Sequence, residues 1–237
     1  MRLDVLVTKS GLAESRERAQ ALILAGKVRV AGETVRRPDR AVAGDASISV
    51  ESTPGYASRG ALKLGPALDS FGVDPRGRVC ADIGASTGGF TDILLRRGAA
   101  RVYAIDVGRG LLHWRLRQDP RVVVIERVNA RELESFAEPV SLIVIDVSFI
   151  GLEKVLPAMR RAAPDADVVA LFKPQFQVAR GEVGKGGIVR DQRTVDSALQ
   201  RLREWCENNG YGIRAQAPSA LPGAEGNQEI FLHLIPR

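Results

Sequence analysis

Five short apolar segments, Val79 to Ile83, Arg101 to Asp106, Val122 to Glu126, Leu142 to Asp146 and Val168 to Phe172, recur along the chain with helical stretches between them. Near-continuous runs of Val, Ile, Leu and Ala suit strands buried on both faces, and strands separated by helix-length spacers lie parallel. The pattern predicts an α/β unit with a parallel sheet covered by helices on both sides. A helix from about Arg190 to Asn209 should follow. Two last strands, Tyr211 to Ala217 and Glu229 to Ile235, are separated by a Pro/Gly loop and can pair antiparallel at the end of the sheet.

Residues 1–50 do not repeat this alternation and predict a small separate domain. Ser15 is placed to cap a helix carrying Ala19, Leu22 and Ile23, and Gly26 to end it. Val28 to Val30 and Glu33 to Val35 flank Ala31-Gly32 in hairpin fashion, while Ala46, Ile48 and Val50 alternate like a half-buried strand. The polar, turn-rich run from Glu51 to Tyr56 places a linker at 51–57 and a second domain at 58–237.

Lys and Arg number 34 against 28 Asp and Glu, a net charge of +6 that leans toward a polyanionic partner. Residues 1–50 alone hold nine basic residues against six acidic ones. Arg2, Lys9, Arg16, Arg18, Lys27 and Arg29 sit on its helix starts and hairpin, where phosphates could meet them. Cys80 and Cys206 are too few for a disulfide framework and too far apart for a local metal pair, so two thiols in a reducing, cytoplasmic setting are expected. The start of the sequence lacks the long apolar stretch of an export signal, and Val140 to Ile150 is too short to span a bilayer, so no membrane association is expected. With two histidines in all, a catalytic metal is not expected either.

Asp82-Ile83-Gly84-Ala85-Ser86-Thr87-Gly88-Gly89-Phe90-Thr91 follows a strand and opens a helix, so its small residues let a ligand approach the backbone at the sheet's carboxyl edge. Ser86 stands where a dinucleotide fingerprint needs its second glycine, which disfavours NAD. Asp106 ends the next strand, where an acidic side chain can accept both hydroxyls of a ribose, and Asn129 lies at the same edge after the third. An adenosine-containing ligand fits, although a tight turn or a plain strand end would give the same residues. Asp146 and Lys173 each end a further strand, and Lys63 and Glu229 lie near the two ends of the domain.

The segments Ser58 to Leu64, Asp82 to Asp92, Asp146 to Ile150, Lys173 to Phe176, Val183 to Gly187 and Gly226 to Glu229 resemble the FtsJ-type ribose methyltransferases. Arg2-Leu3-Asp4, Gly11-Leu12-Ala13, Ser15-Arg16, Leu22-Ile23, Ala25-Gly26 and Gly32 resemble the S4-like RNA-binding domain. Together they resemble the TlyA, or hemolysin A, family over essentially the whole chain, with Ala57 and Gly151 as minor departures. The resemblance implies a Rossmann-like class I fold for S-adenosylmethionine-dependent methyltransferases, with a seven-stranded, mostly parallel sheet and an antiparallel last strand, preceded by a small α+β domain. It implies (cytidine-2′-O)-methylation of ribosomal RNA within ribosomal subunits. Its Lys-Asp-Lys-Glu tetrad falls on Lys63, Asp146, Lys173 and Glu229. Its S-adenosyl-L-methionine site falls on Asp82, Gly84, Ser86, Thr87, Gly88, Gly89, Phe90, Thr91, Asp106, Asn129 and Asp146.

Methyl transfer from a sulfonium is an in-line displacement, so the ribose hydroxyl must be positioned and helped to shed its proton. Nearby carboxylates favour charged lysines, so Lys173 is expected to orient and polarise the hydroxyl with Lys63 assisting; a neutral Lys173 acting as base is the rival. Two other readings of the chain are an RNA-binding assembly factor without turnover and a hemolysin-like protein. Gly181 to Gly187 is expected either to close over RNA or to be a plain surface loop. Phe149 and Phe176 are expected to pack in the core rather than to stack on a base, and His233 to be a satisfied strand residue.

Overall fold

The computed structural model describes residues 1–13, 15–50, 55–223 and 225–237. Its chain divides into two compact units, Met1–Gly55 and Tyr56–Arg237. Residues 51–54 of the expected linker lie outside the described residues, and Tyr56 and Ala57 belong to the second unit.

In the first unit, helices α1 (Leu3–Lys9) and α2 (Arg16–Leu24) precede a three-stranded sheet of β1 (Val28–Val30), β2 (Glu33–Val35) and β3 (Ile48–Val50). The order is β2-β1-β3 and both pairings are antiparallel. Ser15 caps α2, its hydroxyl accepting from the Arg18 N–H at 3.1 Å. The Ala31-Gly32 turn takes φ of 50° and 86°, the left-handed pair that a tight two-residue hairpin needs. Helix α1 escaped the sequence reading, although Leu3, Leu6 and Val7 have helical spacing and are all buried. Leu3, Val7, Ala19, Ile23, Val28 and Val35 form the core.

In the second unit, α3 (Gly60–Phe71) leads into β4 (Val79–Ile83), α4 (Gly89–Arg96), β5 (Arg101–Asp106), α5 (Trp114–Arg117) and β6 (Val122–Glu126). Then come β7 (Leu142–Ile145), α6 (Leu156–Ala162), β8 (Asp167–Phe172), α7 (Gln192–Asn208), β9 (Tyr211–Pro218) and β10 (Ile230–Pro236). The seven strands are ordered β6-β5-β4-β7-β8-β10-β9. β4 to β8 pair parallel, while β10 runs antiparallel to both β8 and β9. Alternate residues of each strand feed two cores, as a sheet covered on both faces requires. Ala81, Ile83, Ile143 and Ile145 pack with α6 and α7, and Cys80, Leu142 and Val144 with α3 and α4.

Candidate active site

The first break in strand order falls beside β4, so the loops at the carboxyl ends of the parallel strands converge there. β4 and β7 are in register, with Ile83 opposite Ile145, and the Asp146 N–H donates to the Ile83 carbonyl at 2.9 Å. Gly84 turns directly against this pair. Its φ is +84°, and a Cβ there would sit 2.6 Å from the Asp146 carbonyl oxygen, so only glycine fits. Asp106, at the end of β5, accepts the Ser86 N–H at 2.8 Å through one oxygen and the Gly108 N–H at 2.7 Å through the other. These two bonds fix the plane of its carboxylate.

A cleft of about 330 Å³ opens at this edge, lined by Gly84, Ser86, Asp106, Asn129 and Asp146 together with Val107, Leu111, Val128, Phe149 and Ile150. Five of the expected cofactor residues are therefore on its wall. Asp82, Gly88, Gly89, Phe90 and Thr91 lie behind it, all buried, and Thr87 is half-buried. The apolar wall of Val107, Leu111, Val128 and Ile150 escaped the sequence reading; the signal is an apolar residue placed just beyond a strand end. The Asn129 side chain caps a short turn by accepting the Arg131 N–H at 3.2 Å, besides facing the cleft.

Beneath the loop, Asp82 accepts the Thr91 hydroxyl at 2.6 Å through Oδ2, while Oδ1 is buried without a partner. Burial pushes its carboxyl up to about 7; the Thr91 hydrogen bond opposes the shift and the Asp146 charge adds to it.

The four tetrad positions come together as two ion pairs. Lys173 Nζ lies 2.6 Å from Asp146 Oδ1 and donates to the Ser148 hydroxyl at 3.1 Å. The Asp146 contact is off the line of a good hydrogen bond, so it acts as a charge contact. Lys63 Nζ donates to Glu229 Oε2 at 2.6 Å. Their side chains are 11% and 3% exposed, so this pair is largely dry. β8 and β10 explain why Lys173 and Glu229 meet at one edge: Phe172 lies opposite Ile230, so both residues are the next step beyond the ladder. Lys63 arrives from α3, which packs so tightly on the start of α4 that a Cβ on Gly89 would lie 3.0 Å from the Ala61 nitrogen.

Phe149 overturns the core-packing expectation. It is 90% exposed with φ of +66°, its ring centroid 5.2 Å from that of half-buried Phe176. The left-handed backbone just beyond β7 turns the ring outward. His233 is buried as expected but not satisfied, since neither ring nitrogen has a hydrogen-bond partner; it stacks on Phe71 at 5.7 Å, and burial lowers its pKa.

In the first unit, Arg2, Lys9, Arg16 and Arg29 are exposed, and Arg18 and Lys27 half-buried. Fully buried Asp4 holds two of them, accepting from Arg2 and from Arg16 Nε, each at 3.0 Å, and from Gln20 at 2.8 Å. The sequence places Asp4 in the RNA-binding motif but carries no signal that it is the buried anchor of these two arginines.

Residues 56–235 match the FtsJ-like methyltransferase family and residues 1–48 the S4 domain. A Mycobacterium tuberculosis (strain ATCC 25618 / H37Rv) protein named 16S/23S rRNA (cytidine-2′-O)-methyltransferase TlyA is 49% identical over 239 residues, covering 98% of this chain and 89% of its own. The chain belongs to the TlyA family. A solved structure described as a hemolysin from Streptococcus thermophilus superimposes on this chain with a TM-score of 0.77 at 40% identity, covering 100% of this chain and 88% of that one. The second unit alone shares its fold with an S-adenosylmethionine dependent methyltransferase from Listeria monocytogenes, at a TM-score of 0.56 and 11% identity over 76% of this chain and 98% of the other. Among the described residues, no helix is long and apolar enough to cross a membrane.

Proposed function

We propose that the chain transfers a methyl group from S-adenosylmethionine to the 2′-hydroxyl of a cytidine in ribosomal RNA. The observation that carries the reading is the pair of ion pairs, Lys63–Glu229 and Lys173–Asp146, drawn from four distant segments to the edge bearing the Asp106 cleft.

The cleft's chemistry fits the methyl donor. The Asp106 carboxylate, its plane set by two backbone N–H groups, suits the two hydroxyls of a ribose, and the apolar residues beside it suit an adenine face. S-Adenosylmethionine, when bound, supplies an electrophilic methyl carbon on a sulfonium. Asp146 lines the cleft and pairs with Lys173, so the lysine stands where donor and acceptor sites adjoin. Paired with a carboxylate, Lys173 works as an ammonium: it holds the hydroxyl oxygen and offsets the charge that develops as the oxygen attacks the donor's methyl carbon, and the hydroxyl proton passes to solvent water. Glu229 and Asp146 hold the two lysines aimed through their ion pairs. The basic helices and hairpin of the S4 domain hold RNA by its backbone, through Arg2 and Arg16 above all.

The deciding experiment incubates the full chain with each ribosomal subunit and methyl-labelled donor, then maps the label. A 2′-O-methylcytidine is the expected product. Binding of subunits with no transfer would replace this reading by the assembly-factor one.

A further inference from the structure

Lys173 and Glu229 stand where β8 and β10 part. One chain leaves Lys173 through the turn Pro174–Phe176 toward residues 184–189, and the other arrives at Glu229 through residues 219–228. These two segments run on from two members of the tetrad, and a buried side chain crosses between them.

Asn227 is 3% exposed. Its Nδ2 donates to the Gly187 carbonyl at 2.8 Å, and its Oδ1 accepts the Val189 N–H at 2.9 Å. A carboxamide has one donor face and one acceptor face in a single plane, so it can join an extended stretch of backbone as a neighbouring strand would. The Asn227 carbonyl in turn accepts the Gly223 N–H at 2.9 Å, which ties its own segment. A second, exposed link joins Gln175 Nε2 to Glu225 Oε2 at 3.3 Å. Across the gap, the Gly184 N–H donates to the Ile188 carbonyl at 3.0 Å and the Gly187 N–H to the Gly184 carbonyl at 3.1 Å, closing a tight turn with exposed Lys185 at its tip. The sequence alone left this segment as either a closing loop or a plain surface loop. Its base is bolted by Asn227 to the segment that leads through Glu229 into β10.

We propose that Asn227 is a positioning residue for methyl transfer, fixing the Lys185 turn as a rigid wall of the mouth through which the RNA ribose reaches Lys173 and Glu229. The proposal rests on the methyltransferase reading. Asn227 touches neither lysine in the contacts described, so it acts through the backbone it holds.

The test uses the full chain with ribosomal subunits, comparing the parent with Asn227→Ala and Asn227→Asp. Loss of the bolt misplaces the acceptor, so kcat should fall on the order of 10- to 100-fold while donor affinity stays within about twofold. Hydrogen exchange at residues 184–189 should quicken in the Ala variant. In the Asp variant a carboxylate would face the Gly187 carbonyl, and lower pH would restore a donor. Protection of the turn, relative to the parent, should therefore return as pH falls, a response that general loosening of the fold does not give. Parent-like kcat and turn protection in Asn227→Ala would overturn the proposal. So would loss of donor binding in step with kcat. If the Ala variant does not fold, the pH response of the Asp variant decides. If the parent itself transfers no methyl group, the functional reading falls, while turn protection still judges the bolt.

Discussion

Lys63 Nζ and Glu229 Oε2 lie 2.6 Å apart although 166 positions separate the residues. Both side chains are nearly out of solvent, so their attraction is poorly screened and each charge depends on the other. Lys63→Ala leaves a buried carboxylate alone and should cost about 3–5 kcal/mol of stability, the usual range for breaking such a pair. Lys63→Met with Glu229→Gln should recover most of that loss yet transfer no methyl group. Urea unfolding of Lys63→Met, Glu229→Gln and the double variant checks this. Additive losses would show that the pair is not coupled.

Lys173 shares its carboxylate contact with a hydrogen bond to Ser148, which fits a fixed ammonium rather than a group that takes up protons. Single-turnover methyl transfer should therefore show no lysine-dependent limb between pH 6 and about 9. Lys173→Ala should abolish transfer with donor binding nearly intact. A limb in that window in the parent would make Lys173 the general base.

The strands were legible because residues buried on both faces must be apolar in unbroken runs, and β4 and β5 fall at the bounds that the sequence suggests. Asp106, Asp146 and Lys173 were legible for a related reason: a charge ending such a run marks the sheet edge. The partnership of Lys63 with Glu229 has no such signal, since helix packing and β-register set it, and only the family resemblance joined them. Phe149 misled because an aromatic beside a buried strand usually continues the core, and its backbone φ cannot be read from residue type. Asp4 was hidden in the RNA-binding motif, its burial set by the fold of α1 against α2.

Arg2 and Arg16 converge on Asp4 from two helices, so their guanidinium groups are held at fixed spacing on the surface. Removing each with Gln should lower the salt slope of RNA binding by about one unit, additively for the pair. Filter-binding titrations across a salt series provide the measurement. An unchanged slope would take this surface off the RNA.

Phe149 is exposed, so Phe149→Ala should change stability by less than about 0.5 kcal/mol. Transfer should nonetheless suffer. Stacking a base on an aromatic ring is worth about 1–3 kcal/mol, which would appear as a raised KM for RNA or a lowered kcat, with donor affinity unchanged. Parent-like kinetics in this variant would leave the ring without a role in RNA contact.

Asp82 and Asp4 should contribute pH dependences of opposite sign to the two units. Burial raises the Asp82 carboxyl from 3.8 to about 7, so between those values the folded second unit holds a proton that the unfolded chain has lost. The stability that this carboxyl contributes should fall as pH rises through that window and level off above it. Asp69, Asp119, Glu126 and Asp191, held low by hydrogen bonds, and buried His233 act in the opposite sense. In the first unit, the Arg2 hydrogen bond holds the Asp4 carboxyl far below its ordinary value, with Gln20 and Arg16 assisting. That contribution is complete above the ordinary carboxylate range and drains away as pH falls below it. Hydrogen exchange resolved by segment and followed from pH 3 to 8 should show the first unit loosening toward acid and, in the second, an Asp82 contribution that declines toward neutrality. Asp82→Asn should flatten the second trend and leave the first untouched. If Asp82→Asn leaves the slope of the second unit as it is in the parent, the buried carboxyl is not its source.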